Sequence, residues 1–491
     1  MENRSQRGPL VLLVLTGAVW LAGIDLFIVN VALDDIGRDL GEPDLGALSW
    51  ILNAYAVTFA ALLVPLGRVA DRRGRKNVFV VGMALFTVAS LGAGLAPDVW
   101  TLVGFRVVQA VGAAAMMPAS LGLLVAAAPP EKRAAVARLW ALVGAVSAAV
   151  GPSVGGVLVQ LSWEWAFWIN VPAGLVLIAL AVRYVPDLQD TAAADAAGDT
   201  DGAVPPRPDV LGALLLATSV GALVLALVQA DAWGWTSPAT LTALGVAVAA
   251  AIGVRLVAAG HPAPVVDPHL FRNRRFTLAN LTTVVFNMGF AMALLAGILW
   301  MQRAWGYSPL RTGLALTPGP LAVAVVGITV GRLLPRARPG HLIAAGSAIF
   351  AACAAWQALV LTAEPSYVTG YLLPWIAIGV AVGLVMPNVT AAAIADLPVA
   401  DASTGSGIVT MARQVALALG VSVLVSLLGT SSGTTPGLAE FETVWWWIAG
   451  IGAVAAVVAL GMEGRGDRLS PAAPPARTPP ARRAAYSRRS R

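Results

Sequence analysis

The sequence predicts an all-α integral membrane protein with fourteen transmembrane helices. Three observations lead there. Of the 491 residues, 58% are hydrophobic and only 12% charged, where a soluble domain carries about 25% charged residues. Segments of ~20 residues nearly free of charge recur along almost the whole chain, each long enough to cross a bilayer. The Lys and Arg residues gather in every second connection between those segments, as they do on the inner side of a membrane.

The spans run at about 9–33, 46–66, 77–96, 99–127, 134–160, 165–185, 210–229, 238–258, 278–302, 310–334, 340–363, 367–393, 404–431 and 442–462. The first is too long for a cleaved leader and has no small-residue cleavage site behind it, so it reads as a retained helix. The stretch "DDIGRDLGEPD" (34–44) follows as an acidic connection. After the second span comes "GRVADRRGRKNVF" (67–79), strongly basic between two apolar runs. It shares one side with the N-terminus, Lys132–Arg138, Arg255–Arg275, Arg332–Arg338 and the C-terminal tail. The other side holds Arg38, Arg303 and Arg311, and Arg106 lies within a span. The positive side is cytoplasmic, so both termini are expected inside. The sixth span opens in "SWEWAFW" (162–168); with Trp233, Trp235, Trp305, Trp445, Trp446 and Trp447 it reads as an aromatic belt at outer span ends.

Two stretches read as linkers: acidic, Ala/Gly-rich 187–209 between spans six and seven, and 259–277 between spans eight and nine. The tail from Arg465 is Pro/Arg-rich and reads as disordered and basic. "GRLLPRARPG" (331–340) echoes "GRVADRRGRK" (67–76). With spans seven and eight taken as an insertion, the echo places two six-helix halves in tandem, a transporter architecture. The divisions are then 1–186, 187–209, 210–258, 259–277, 278–464 and 465–491.

Several chemistries are excluded. Cys353 is the one cysteine, which rules out an internal disulfide or a thiolate metal cluster. His261, His269 and His341 sit in or beside connections without metal-ligand spacing. The two lysines, Lys76 and Lys132, follow Arg75 and Glu131, so no Gly-Lys phosphate loop exists. Transport therefore has to draw on a gradient. No nucleophile or carboxylate pair lies deep in the spans, which argues against an enzyme, and nothing suggests a channel filter. The net charge of +6 sits between spans, where membrane orientation explains it better than nucleic acid.

Asp25 is the carboxylate that falls deep within a span. Such a charge is costly, so it should face a cavity and have a partner. The first span places Asp25 roughly 22 Å from its inner edge, and the fourth places Arg106 about 10 Å below its outer edge, at 1.5 Å per residue. In a core ~30 Å thick these depths nearly coincide. The guanidinium favours the ionised acid and burial the neutral one, so the pair is balanced for proton exchange. Gln109, one turn from Arg106, completes the hydrogen bonding. A static structural clamp is the plainer alternative.

In the fifth span Gly144, Gly151 and Gly155 recur at helical spacing beside Pro152 and Gly156. Small residues let helices approach and proline permits a bend. Plain packing explains this nearly as well as a hinge. Candidates for a substrate surface are Trp20, Asn30, Asn53, Tyr55, Gln109, Asn287, Met288, Met292, Met386 and Asn388. Amides in lipid prefer the interior and methionines make adaptable surfaces, though any one of them is more often packing.

Four segments carry a resemblance. "GRVADRRGRKNVF" resembles motif A of the major facilitator superfamily, and "GIDLFIVNVAL" (23–33) the first-helix motif of its fourteen-helix drug:proton antiporter branch. "FRVVQAVGAAAMMP" (105–118) resembles motif B and "GAVSAAVGPSVGG" (144–156) motif C, which marks exporters. Phe27 and Asp34 stand where that branch usually has Thr and Pro, and Pro335 replaces the acid in the second-half echo. The resemblance implies the major facilitator fold, two six-helix bundles plus two additional helices. It implies proton coupling at Asp25 and Arg106, and a hinge at Gly144, Gly151, Pro152, Gly155 and Gly156. A charge latch is implied at Gly67, Asp71, Arg72, Gly74 and Arg75.

The function expected is export of amphipathic small molecules in exchange for protons, by a monomer in a bacterial-type plasma membrane. Its partners are the lipid bilayer, protons and the cargo, with no cofactor and no nucleic acid. A proton-coupled importer and a transport-inactive sensor or scaffold are the alternatives.

Overall fold

The computed structural model describes residues 7–129, 133–186, 209–261, 264–266, 268–333, 337–397, 399–428 and 438–463. The linker at 187–208, the residue Pro335 and the tail beyond 463 lie outside them. Helices account for every predicted span: α1 Arg7–Asp39, α2 Leu45–Arg73, α3 Arg75–Ala93, α4 Val99–Ala127, α5 Arg133–Leu158 and α6 Asn170–Tyr184. Then follow α7 Val210–Trp233, α8 Pro238–Gly260, α9 Arg274–Leu299, and α10 in two pieces, Pro309–Leu316 and Pro318–Leu333. The last are α11 Pro339–Val360, α12 Leu373–Ile394, α13 Val399–Leu427 and α14 Leu438–Leu460. Among the described residues, 13 helices are long and apolar enough to cross a membrane; α5, of 26 residues, occupies the remaining predicted place.

Local chemistry sets the helix ends. Asp44, Asp98, Asp209, Ser237, Asn273 and Ser308 cap the starts of α2, α4, α7, α8, α9 and α10 by accepting backbone N–H bonds. At Asp98 the hydrogen bond from the Thr101 hydroxyl, with others from backbone amides, holds the carboxyl below its ordinary range. Gly74 separates α2 from α3 with φ +96, a conformation that suits glycine. One boundary differs from the sequence reading. The acidic connection expected from residue 34 is helical to Asp39, with Arg38 paired to Asp35 on the exposed end of α1. Charge stops a lipid-embedded span, but it does not stop a helix that projects beyond it.

The packing is a tandem repeat. In the first six helices α3 packs on α4 and α6, α1 on α4, α5 and α6, and α2 on α4. In the last six α11 packs on α12 and α14, α9 on α12, α13 and α14, and α10 on α12. Adding eight to each number of the first set yields the second. The two halves meet where α2 packs on α13 and α5 on α10, contacts that the same offset exchanges. The helices between the halves form a hairpin, and α7 rests on both α2 and α13. Its Val224 is fully buried against Ala56 and Ala418, so the insertion covers one side of the seam. Asp209 reinforces its base, accepting from Gly212 at 2.7 Å and from Val265, across the 259–277 linker, at 3.1 Å.

The aromatic belt is only partly one. Trp165, Trp233, Trp235, Trp446 and Trp447 are exposed, but Trp163, Trp305 and Trp445 are buried. The buried three are packing residues: Trp163 donates to Asp39 at 2.8 Å and Trp305 to the Thr362 carbonyl at 2.9 Å. Position along a span gives depth, whereas rotation about the helix axis decides between lipid and core.

Candidate functional site

Asp25 and Arg106 meet. Arg106 Nη1 lies 2.5 Å from Asp25 Oδ2, and both side chains are fully buried. Gln109 Nε2 donates to Asp25 Oδ1 at 3.1 Å and Asn170 Nδ2 to the same oxygen at 2.7 Å. Gln109 Oε1 accepts from Arg106 at 3.0 Å, and Gln109 Nε2 is 2.7 Å from Ser90 Oγ. Arg106 Nε donates to the Ile51 carbonyl at 3.1 Å, and the guanidinium lies 4.2 Å from the centre of the Tyr55 ring. Helices α1, α2, α3, α4 and α6 thus converge on one ion pair. Buried charges persist only when paired and hydrogen-bonded, and this network supplies both. Arg106 Nη2 and Asn170 Oδ1 are left without partners.

The sequence anticipated Asp25, Arg106 and Gln109. It passed over Asn170 and Ser90, which are as deeply buried. An amide and a hydroxyl inside apolar spans are weak signals by themselves; matching their depths to Asp25 would have found them. The expectation that Asp25 faces a cavity is corrected: the carboxylate is sealed inside the first bundle. Its neighbours in sequence, Leu26 and Phe27, face the other way and line a narrow crevice between the halves, with a cavity volume of about 40 Å³.

That crevice is walled by α1, α2, α9 and α13. Of the predicted surface residues, Asn30 and Asn53 line it. Tyr55 and Gln109 turn into the Asp25 network, and Met292 is fully buried. Asn287 and Asn388 bond back to the carbonyls of Thr283 and Leu384, each at 2.7 Å. Trp20, Met288 and Met386 pack against the main core. The remaining lining is apolar, from residues such as Leu52, Phe290 and Val421. Helices that are apolar all round hide which face meets the seam.

The face opposite the α2–α3 turn is closed across the seam. Arg303, in a π-helical turn that ends α9, pairs with Asp34 of α1 through Nη2 at 2.7 Å and Nε at 3.2 Å. Gln302 donates to the Val31 carbonyl at 3.2 Å. Ser153 of α5 bonds to the Gly313 carbonyl at 3.1 Å and to Thr317 of α10. Nearer mid-span, Asn53 donates to Ser422 at 3.3 Å. Asp34 thus stands where the resemblance led one to expect proline, and it carries half of an inter-half ion pair.

The small-residue stripe of α5 serves two interfaces. A Cβ on Gly151 would lie 2.8 Å from Phe27 Cβ, and one on Gly155 would lie 3.1 Å from the Ile28 carbonyl oxygen. One on Gly144 would lie 3.3 Å from Val19. Gly156, one residue round the helix, faces α10: there a Cβ would lie 2.5 Å from the Pro309 oxygen and 2.9 Å from Leu310 Cα. Pro152 lies within α5, and its carbonyl abuts Gly313. Gly156→Val should therefore wedge the halves apart on this face. The expected readout is a longer distance between spin labels at Leu161 and Glu364, with Cys353 replaced by Ser; an unchanged distance would refute the close approach.

On the face of the α2–α3 turn, Arg75 donates to the Gly122 carbonyl at 3.2 Å and Lys76 to the Val182 carbonyl at 3.1 Å. Gly67 packs against Pro118. Asp71 and Arg72 lie on α2, but their side chains fall outside the described residues. Arg413, which the sequence reading did not single out, lies inside predicted span thirteen and within the span Gly407–Leu427 of α13.

Known proteins agree with this architecture. The profile of the Major Facilitator Superfamily matches residues 15–421. The chain is 34% identical to the methylenomycin A resistance protein of Streptomyces coelicolor, over 86% of this chain and 86% of that protein. It is 32% identical to the tetracenomycin C resistance and export protein of Streptomyces glaucescens, over 88% and 77%. To the puromycin resistance protein of Streptomyces alboniger it is 33% identical, over 91% and 89%. Among solved structures, the POT family transporter PepTSo superposes with a TM-score of 0.64 at 15% identity, covering 92% of this chain and 97% of that one. The nucleoside transporter NupG superposes with a TM-score of 0.62 at 12% identity, covering 93% and 98%. The repeat of packing pairs, the seam crevice and these matches together make this chain a multi-pass membrane transporter of the major facilitator superfamily.

Proposed function

We propose that the protein exports amphipathic small molecules in exchange for protons, by alternating access, with both termini in the cytoplasm of a bacterial-type cell. Its relatives named for resistance and export favour efflux. The observation that carries the coupling is the arrangement along α1. Asp25 sits in the ion pair, Leu26, Phe27 and Asn30 line the crevice, and Val31 and Asp34 hold the outer closure. Within ten residues one helix touches the proton site, the cargo site and the gate.

A proton on Asp25 removes the negative charge that Arg106 faces. In a low-dielectric interior that change is large, and α1 then loses its strongest tie to α4. A shift of α1 moves the crevice wall and the Asp34–Arg303 pair together. The deprotonated form carries cargo outward and releases it to the periplasm; a proton taken up there by Asp25 drives the return inward, where its loss readies the crevice for cargo again. The lipid bilayer, protons and cargo are the partners, and a monomer contains every part.

The test uses everted membrane vesicles energised with a proton gradient, to which a panel of lipophilic cations, neutral antibiotics and anions is added from outside. Export requires accumulation of some member in the vesicles, with proton release when that member is added. Flux in the opposite sense would establish an importer, and the absence of any flux a sensor or scaffold.

A further inference from the structure

The cavity stripe of α13 carries a charge. Leu417 and Val421 line the crevice, and Arg413, four residues before Leu417, stands one turn below on the same stripe. Arg413 is exposed although it lies within a span. It does not face lipid. Helix α13 meets α9 through Gly420, which abuts Met288 and Ala291, and meets α2 and α7 through Ser422 and Ala418. On the helical wheel Arg413 falls between Gly420 and Leu417, toward the seam. The seam is closed at the far face, so this guanidinium stands in the mouth that leads from the α2–α3 side to the crevice. Among the described residues no carboxylate pairs with it.

The crevice itself offers oxygen acceptors. Asn30 spends its amide N–H groups on the carbonyls of Leu26 and Phe27, at 3.3 and 3.5 Å. Asn53 donates to Ser49 at 3.4 Å and to Ser422 at 3.3 Å, and its Oδ1 is buried without a partner. Among the described residues no acid lines the crevice. A cationic drug would find no counter-charge there and would pass a guanidinium on entry.

We propose that the cargo is an amphipathic organic anion, a carboxylate on an apolar body with a hydrogen-bond donor, whose charge Arg413 receives at the crevice mouth while Asn53 accepts from the donor. This rests on the export reading and names its substrate class. Charge-assisted bonds to a guanidinium are the strong ones, and the fixed cation also repels cations of like shape, which gives selectivity by exclusion.

The experiment measures binding of 1-pyrenebutyrate, its methyl ester and the matching pyrenylbutyl-trimethylammonium ion to the full chain in nanodiscs, with empty nanodiscs as the blank. Wild type should bind the butyrate at least about tenfold more tightly than the ammonium ion. Arg413→Gln should lose about tenfold for the butyrate and leave the ester unchanged, and Arg413→Lys should recover most of the loss. Equal or tighter binding of the ammonium ion overturns the proposal, as does Arg413→Gln weakening all three probes alike. If everted vesicles export the ammonium ion regardless of residue 413, the export reading stands and the anion assignment falls. If no compound of any charge moves, both fall.

Discussion

Asp25→Asn abolishes gradient-driven export while leaving the protein folded in the membrane. The substitution keeps the shape of the side chain and removes its charge. The amide oxygen still accepts from Gln109 or Asn170, and Arg106 keeps the Ile51 carbonyl, Gln109 Oε1 and the Tyr55 ring. The bundle therefore survives. What disappears is the group that takes a proton, so addition of cargo to everted vesicles should release none. Downhill exchange of cargo, which needs no proton, should continue. Arg106→Ala behaves differently. It leaves a fully buried carboxylate without its counter-charge, and breaking a buried pair in this way costs about 3–5 kcal/mol. That variant should lose folded protein on heating in detergent well before Asp25→Asn does. Full proton-driven export by Asp25→Asn would remove Asp25 from the coupling mechanism.

Asp34→Asn is expected to shift the protein toward opening on the far face. Asp34 and Arg303 are partly exposed, at 20% and 25%, so their pair is worth less than the buried one. Its two-pronged geometry on one carboxylate lifts it toward the upper part of the range for exposed pairs. A loss of about 1 kcal/mol would change the ratio of closed to open forms about fivefold. Spin labels at Leu161 and Glu364, with Cys353 replaced by Ser, should show a new population at longer distance. The charge swap Asp34→Arg with Arg303→Asp should restore the short distance. If neither variant moves the distribution, the pair lies on the seam without helping to hold it shut.

Much of this protein was written in its composition and period. Fourteen apolar segments in an aqueous chain have one solution, since a bilayer leaves no other place for them, and depth along a span follows from counting residues. Depth alone brought Asp25 level with Arg106. The motifs around Gly67, Arg106 and Gly151 pointed to the family because they are local in sequence.

Rotation about each helix axis was not legible. Apolar-all-round helices carry no stripe to show which side meets protein, so only packing turned Asp25 inward while Leu26 and Phe27 met the seam. Packing alone also buried Trp445 beside the exposed Trp446. Pairings across hundreds of residues were equally hidden, because they depend on how two bundles dock. Asp34 with Arg303, Gly156 with Pro309, and Asn53 with Ser422 are set by the seam and by nothing near them in the chain. The same docking set Arg413, inside predicted span thirteen, on the stripe of α13 that continues to Leu417 and Val421 at the crevice.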